Sequence, residues 1–180
     1  MATSNLMQVL NDLEQWNDRY RAGKIRHVAL RKPKLEPGER LSVHTYQVGY
    51  AQVERSRIDA QPAGWGSTSV LGRPVGGAYA TDTRLFVVSN GLKTLHEWRW
   101  ADIAGVRALA DMQGVVVEQA DGADTLEVVA TDHSAAVEGP RPLQAAAAWL
   151  AVEATFVDSR GGLEQWMAGL RSRMQQLEKS

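Results

Sequence analysis

The residue types able to do chemistry are scattered along this chain. His27, His44, His96 and His133 stand far apart, and none belongs to a His-Glu-x-x-His or comparable ligand spacing, so no metal site is expected. The chain has no cysteine, which removes thiolate ligands, thiol nucleophiles and a disulfide framework together. Asp132, His133 and Ser134 are the residue types of a hydrolase triad. Three adjacent residues cannot form a relay that needs convergence from separate elements. The run Gly64-Trp-Gly-Ser-Thr-Ser69 lacks the Gly-Lys-Ser/Thr ending of a phosphate loop and opens no evident helix. No catalytic residue and no cofactor follows from these patterns, so the chain is read as not an enzyme.

Charge is more informative. Arg19, Arg21, Lys24, Arg26, Arg31, Lys32, Lys34 and Arg40 crowd one stretch, opposed there by Glu36 and Glu39. Such a segment can attract anionic lipid by about 1 kcal/mol per residue near the surface. It can also track a phosphate backbone, or serve simply as a solvated linker. Lys24, Arg26, Arg31, Lys32, Lys34 and Arg40 are the candidate ligand- or partner-binding residues. The net charge of −1 gives no global field toward polyanions, so nucleic acid is not the expected partner. Trp98 and Trp100 flank Arg99, a pattern on which bases could stack. Two tryptophans on one strand face are read instead as core.

The elements that must position these residues are short. Leu6, Leu10, Leu13, Trp16 (or Asn17) and Tyr20 recur at spacings of three and four, which predicts an amphipathic helix over 4–22, with Gly23 as its stop. A basic connector over 24–36 follows. From Arg40 the pattern changes to period two, with strands expected at 41–46 and 50–57. The glycine-rich stretch 64–77 is expected to bend or bulge rather than pack. Strands are expected again at 79–89, 95–100, 105–110, 114–120 and 125–131. Asn90-Gly91 is expected to form a type I′ hairpin turn and Asp121-Gly122 a second turn. After Pro140, Pro142 sits well in a first helical turn, and a helix over 143–157 precedes Gly161-Gly162. On a last helix Leu163, Trp166, Met167, Leu170, Met174 and Leu177 form one apolar stripe. Leu163, Trp166, Leu170, Met174 and Leu177 are the candidate interaction surface.

Leu35-Glu-Pro-Gly-Glu-Arg40 resembles the opening of pleckstrin-homology-like domains of the bacterial PH and GRAM type. Thr81-Asp-Thr-Arg-Leu-Phe86 is similar to their "Thr-Asp-x-Arg-Leu" strand. Glu97-Trp-Arg-Trp-Ala-Asp-Ile-Ala-Gly-Val106 is similar to the following "aromatic-x-Asp-Ile-x-x-Val" segment, and 114–117 with 126–129 resemble the next hairpin. The resemblance implies a bent antiparallel barrel closed at one end by a C-terminal helix, binding phosphoinositides or proteins, with no shared catalytic residues. An N-terminal helix and a second C-terminal helix are additions to that pattern.

The expected fold is therefore α+β and mainly β: a PH-like barrel of about seven to eight strands with one helix before it and two after. Its parts are an N-terminal helix (1–23), the connector (24–36), the barrel (37–135) and C-terminal helices packing on or beside it (140–180). The expected function is a non-catalytic binding module making protein–protein or peripheral membrane contacts, self-association included. The alternatives are a structural part of a larger assembly, of phage type, and anionic-lipid binding through the connector. Arginine outnumbers lysine fifteen to five, which reads as a GC-rich bacterial or phage genome. No basic region leads into an apolar one at the N-terminus, and 143–157 is shorter than the roughly 20 apolar residues of a membrane span. A cytoplasmic protein, at most peripheral to a membrane, is expected.

Overall fold

A computed structural model describes residues 3–25, 33–60, 73–109, 112–131 and 141–180. Helix α1 (Thr3–Arg21) is followed by strand β1 (Leu41–Glu54) and the short helix α2 (Arg55–Ala60). Strands β2 (Arg73–Thr81), β3 (Arg84–Val88) and β4 (Thr94–Arg99) come next. A 3-10 turn (Trp100–Asp102) then leads into β5 (Gly105–Ala108), β6 (Gly114–Glu118) and β7 (Thr125–Thr131). Helices α3 (Arg141–Ser159) and α4 (Leu163–Lys179) close the chain.

The seven strands form one antiparallel sheet in the order β4-β3-β2-β1-β7-β6-β5. Two meanders therefore share β1. Its first half pairs with β2, Leu41 facing Thr81 and Tyr50 facing Arg73. Its second half pairs with β7, Val48 facing Thr131 and Glu54 facing Thr125. The two halves bend around one interior filled by Val48, Leu85, Val87, Trp98, Trp100, Val117 and Val129. This is the PH-like arrangement that the sequence motifs imply. Its edges, β4 and β5, are joined by the 3-10 turn.

Helix α3 packs across the open side of that interior with Trp149, Val152 and Phe156. Burying each such side chain contributes about 1.5–3 kcal/mol. The Trp149 indole donates to Thr131 Oγ1 at 2.6 Å, so its polar edge is satisfied too. The opposite face of α3 (Ala146, Leu150, Ala151, Ala154) meets Val9, Leu10 and Leu13 of α1 and Leu163, Met167, Leu170 and Met174 of α4. α3 is thus an inner helix, apolar on two sides, and α1 and α4 form an outer layer over it. α1 stops at Gly23, where the Gly23 and Lys24 N–H groups close back on Tyr20 and Arg19 at 3.1 and 2.8 Å.

Several expected boundaries change. The runs 41–46 and 50–57 are not two strands: β1 is continuous through Val48 and Gly49, and residues 55–60 are helical. The stretch 79–89 is a hairpin, turning at Asp82-Thr83 between β2 and β3. Residues 73–77 lie within β2, so that end of the glycine-rich stretch packs instead of bending. The Asn90-Gly91 turn is present but is not type I′. The Leu92 N–H donates to the Ser89 carbonyl at 2.9 Å, and Leu92, not Gly91, holds the positive φ of 65°.

Candidate functional site

Two of the motif segments that carry the resemblance, 35–40 and 81–86, converge on one carboxylate. Glu36-Pro37-Gly38-Glu39 forms a type II turn, with Glu39 N–H donating to the Glu36 carbonyl at 3.0 Å and Gly38 at φ 79°. The turn delivers the Glu39 side chain to the β2–β3 hairpin. There Oε1 accepts from the Thr81 hydroxyl at 2.6 Å and the Thr83 hydroxyl at 3.1 Å, and both oxygens accept from Arg84. Arg84 also donates to Glu97 at 2.7 Å and to the Lys34 carbonyl at 3.3 Å, and lies over the Phe86 ring. Beside it, Arg99 donates to both oxygens of Glu36. This network straps residues 33–40 onto the sheet, and Leu35 helps cover Tyr79, Phe86 and Val88 on its outer face. The motif acids and Arg84 are therefore structural.

The strap sorts the charges of the basic connector. Glu36 and Glu39 are engaged by arginines of the sheet, and Lys24, Lys34 and Arg40 remain exposed. Among the described residues no ion pair engages Lys24 or Lys34. Arg40 is partly held, 3.8 Å from Asp82 and stacked on the Tyr20 ring at 5.0 Å. A cleft of about 130 Å³ lies at this end, lined by Tyr20, Gly23, Ile25, Arg40 and Leu41. The other expected contributors, Arg26, Arg31 and Lys32, lie outside the described residues, as do His27, 64–69 and 132–134.

The candidate stripe on α4 is mostly used within the chain. Leu163, Leu170 and Met174 are buried against α1 and α3, and Trp166 is half-buried, donating to Glu153 at 2.8 Å. Leu177, 54 % exposed, is the member of the stripe that faces solvent. Trp98 and Trp100 are both buried, as core residues should be.

One polar constellation went unread in the sequence. Glu127, on the inward face of β7, is buried between Tyr50, His96, Trp98 and Gln119. Its Oε1 accepts from the Tyr50 hydroxyl at 2.8 Å, with His96 Nε2 3.5 Å away. Its Oε2 accepts from the Trp98 indole and the Gln119 amide. The rings pack tightly, Tyr50 on His96 at 5.5 Å and His96 edge-on to Trp98 at 4.5 Å. Burial pushes the Glu127 carboxyl up, but the donors Trp98, Gln119 and Tyr50 and the nearby His96 outweigh it and hold it below its ordinary range. The same burial and carboxylate push the Tyr50 phenol up to about 12. Three donors thus occupy most of the acceptor positions of this carboxylate and fix it in place. The only sequence signal for it was an acid on the inward parity of an otherwise apolar run, Glu127 with Val129 and Thr131.

No family model matches the chain, and no curated protein matches it. Among solved structures, the chain is similar to the C-terminal phosphotyrosine interaction domain of APBB2 from mouse. Identity is 15%, the TM-score is 0.36, and the match covers 67% of this chain and 96% of that one. A likeness of that size says nothing about a ligand.

Proposed function

We propose that the protein is a non-catalytic binding module of the bacterial PH and GRAM type, and that its partner is a protein with an acidic surface. The observation that carries this reading is the charge sorting along the strap. The acids of 33–40 are neutralised by Arg84 and Arg99, and Lys24, Lys34 and Arg40 stay at the surface on anchored backbone. Cations held in place by a fold lose less freedom on docking than those of a floppy linker. A membrane is the less favoured partner. The exposed large apolar side chains among the described residues, Leu95 and Leu177, are two single side chains on different elements, β4 and α4, and do not form an apolar patch for insertion into a bilayer.

The test is solution mass by light scattering with poly-L-glutamate, and separately with phosphatidylserine vesicles, at low and high salt. Binding to the polymer is expected at low salt and should vanish near 1 M salt, where the screening length is about 3 Å. The Lys24→Glu/Lys34→Glu double variant should lose it. Binding to vesicles alone would move the reading to lipid. A salt-independent multimer that ignores both would favour a part in a larger assembly.

A further inference from the structure

Among the described residues the sheet ends at two edge strands, β4 and β5, and side chains of the chain guard both. At β4 the register shifts between Val87 and Val88, and Arg99 is engaged by Glu36 of the strap. Bulges and charges at an edge are known devices against strand addition.

The β5 edge is closed differently. Leu109 N–H donates to the Gly114 carbonyl at 2.8 Å, in register with the pairs Arg107–Val116 and Gly105–Glu118. Because an antiparallel ladder alternates, the backbone groups of Val106 and Ala108 point to the open side. Ala108 N–H is nevertheless bonded there: it donates to Glu153 Oε1 of α3 at 2.9 Å. The other oxygen of Glu153 accepts from the Trp166 indole of α4. Further along the same border, Arg160 donates to the carbonyls of Trp100 and Ile103 at 2.8 and 2.7 Å.

A carboxylate is an unusual partner for a strand amide. Burial of Glu153 works against its ionised form, so an apolar residue at this helix position would be the simpler choice for packing alone. What the carboxylate supplies is an acceptor where a neighbouring strand's carbonyl would otherwise sit. We propose that Glu153 stands in for a partner strand at β5 and thereby closes that edge to pairing with a second copy of the chain. A partner then meets side chains, not an open ladder. A second copy is the relevant occupant because identical edges pair isologously around a two-fold axis.

Amide exchange on the wild-type protein tests the first half. Ala108 should exchange at least about tenfold more slowly than Val106, since both point outward and, among the described residues, only Ala108 meets a charged acceptor. Equal rates would overturn the proposal. Light scattering on Glu153→Ala tests the second half: its mass should rise with concentration toward that of a dimer, and an unchanged monomer would overturn it. Trp166→Phe removes the other hydrogen bond of the same carboxylate and leaves the cap on Ala108, so it should stay monomeric. If it dimerises equally, loosened helices are the cause and the proposal fails. Should Glu153→Ala not fold, the wild-type exchange rates still decide.

Discussion

Arg84 and Glu39 form a two-pronged ion pair, Nε to Oε1 at 2.8 Å and Nη2 to Oε2 at 3.2 Å, with side chains only 7 % and 1 % exposed. It joins the turn before β1 to the start of β3, and so ties the segments 35–40 and 81–86 together in space. Removing one partner strands a buried charge, and that costs about 3–5 kcal/mol. Arg84→Met should therefore unfold at much lower urea than the wild type. Arg84→Met combined with Glu39→Leu should recover part of the loss.

The same pair sets an acid limit. Burial pushes the Glu39 carboxyl up, yet hydrogen bonds from Arg84, Thr81 and the Glu36 backbone bring it from its ordinary 4.5 down to about 2. The folded value lies below the unfolded one. Its stabilisation is then complete above pH 4.5 and is lost as pH falls toward 2. Urea midpoints measured down that range should fall in the wild type and stay flatter in the Glu39→Leu/Arg84→Met chain.

At the Glu127 cluster, Tyr50→Phe removes one donor and leaves the carboxylate with others, so about 1 kcal/mol is expected. Glu127→Leu strands the Trp98 indole and the Tyr50 hydroxyl, at about 1–3 kcal/mol each. Thermal melts should rank wild type, Tyr50→Phe and Glu127→Leu in descending order. The reverse order of the two variants would contradict the hydrogen-bonding described.

Two glycines should respond oppositely to a methyl group. A Cβ at Gly76 would lie 2.6 Å from the Ser89 carbonyl carbon, backbone that cannot step aside. Gly76→Ala should cost about 1–3 kcal/mol through overpacking. At Gly91 the nearest atom is the Ser89 hydroxyl at 3.8 Å, and φ is not left-handed. Gly91→Ala should be neutral or stabilising by up to about 1 kcal/mol. A type I′ turn would instead be damaged by it, so the melting temperature distinguishes the two turns.

Leu170 and Leu177 belong to one sequence stripe but differ in burial. Leu170→Ala should cost about 2–5 kcal/mol, and Leu177→Ala less than about 0.5 kcal/mol. Urea titration of both separates a packed helix from one held in reserve for a partner.

What the sequence made legible was governed by local chemistry. Gly23, the Asp121-Gly122 turn and the α1 stripe are nearest-neighbour signals, and each sits where its spacing places it. β1 was divided in two because Gln47 and Gly49 break the alternation around Val48, which pairing on both sides then restores. The β2–β3 turn was hidden because Asp82-Thr83 contains no glycine or proline. It is specified from afar, Asp82 accepting from Arg40 N–H at 2.9 Å. Helix α2 is too short to show a period. The Glu127 cluster draws on β1, β4, β7 and the residue after β6, so no window of sequence could contain it.

The shared strand has a consequence for how the chain is made. β1 is synthesised early, but the partner of its second half, β7, is among the last strands to leave the ribosome. Once β2 to β4 have emerged, the first meander can assemble on Leu41–Tyr50, leaving Ala51–Glu54 with an unpaired border. Long-range pairings of this kind close slowly, and exposed edges of nascent chains are where misassembly begins. Pausing translation between β4 and β7 should accordingly be the step at which this protein most depends on chaperones.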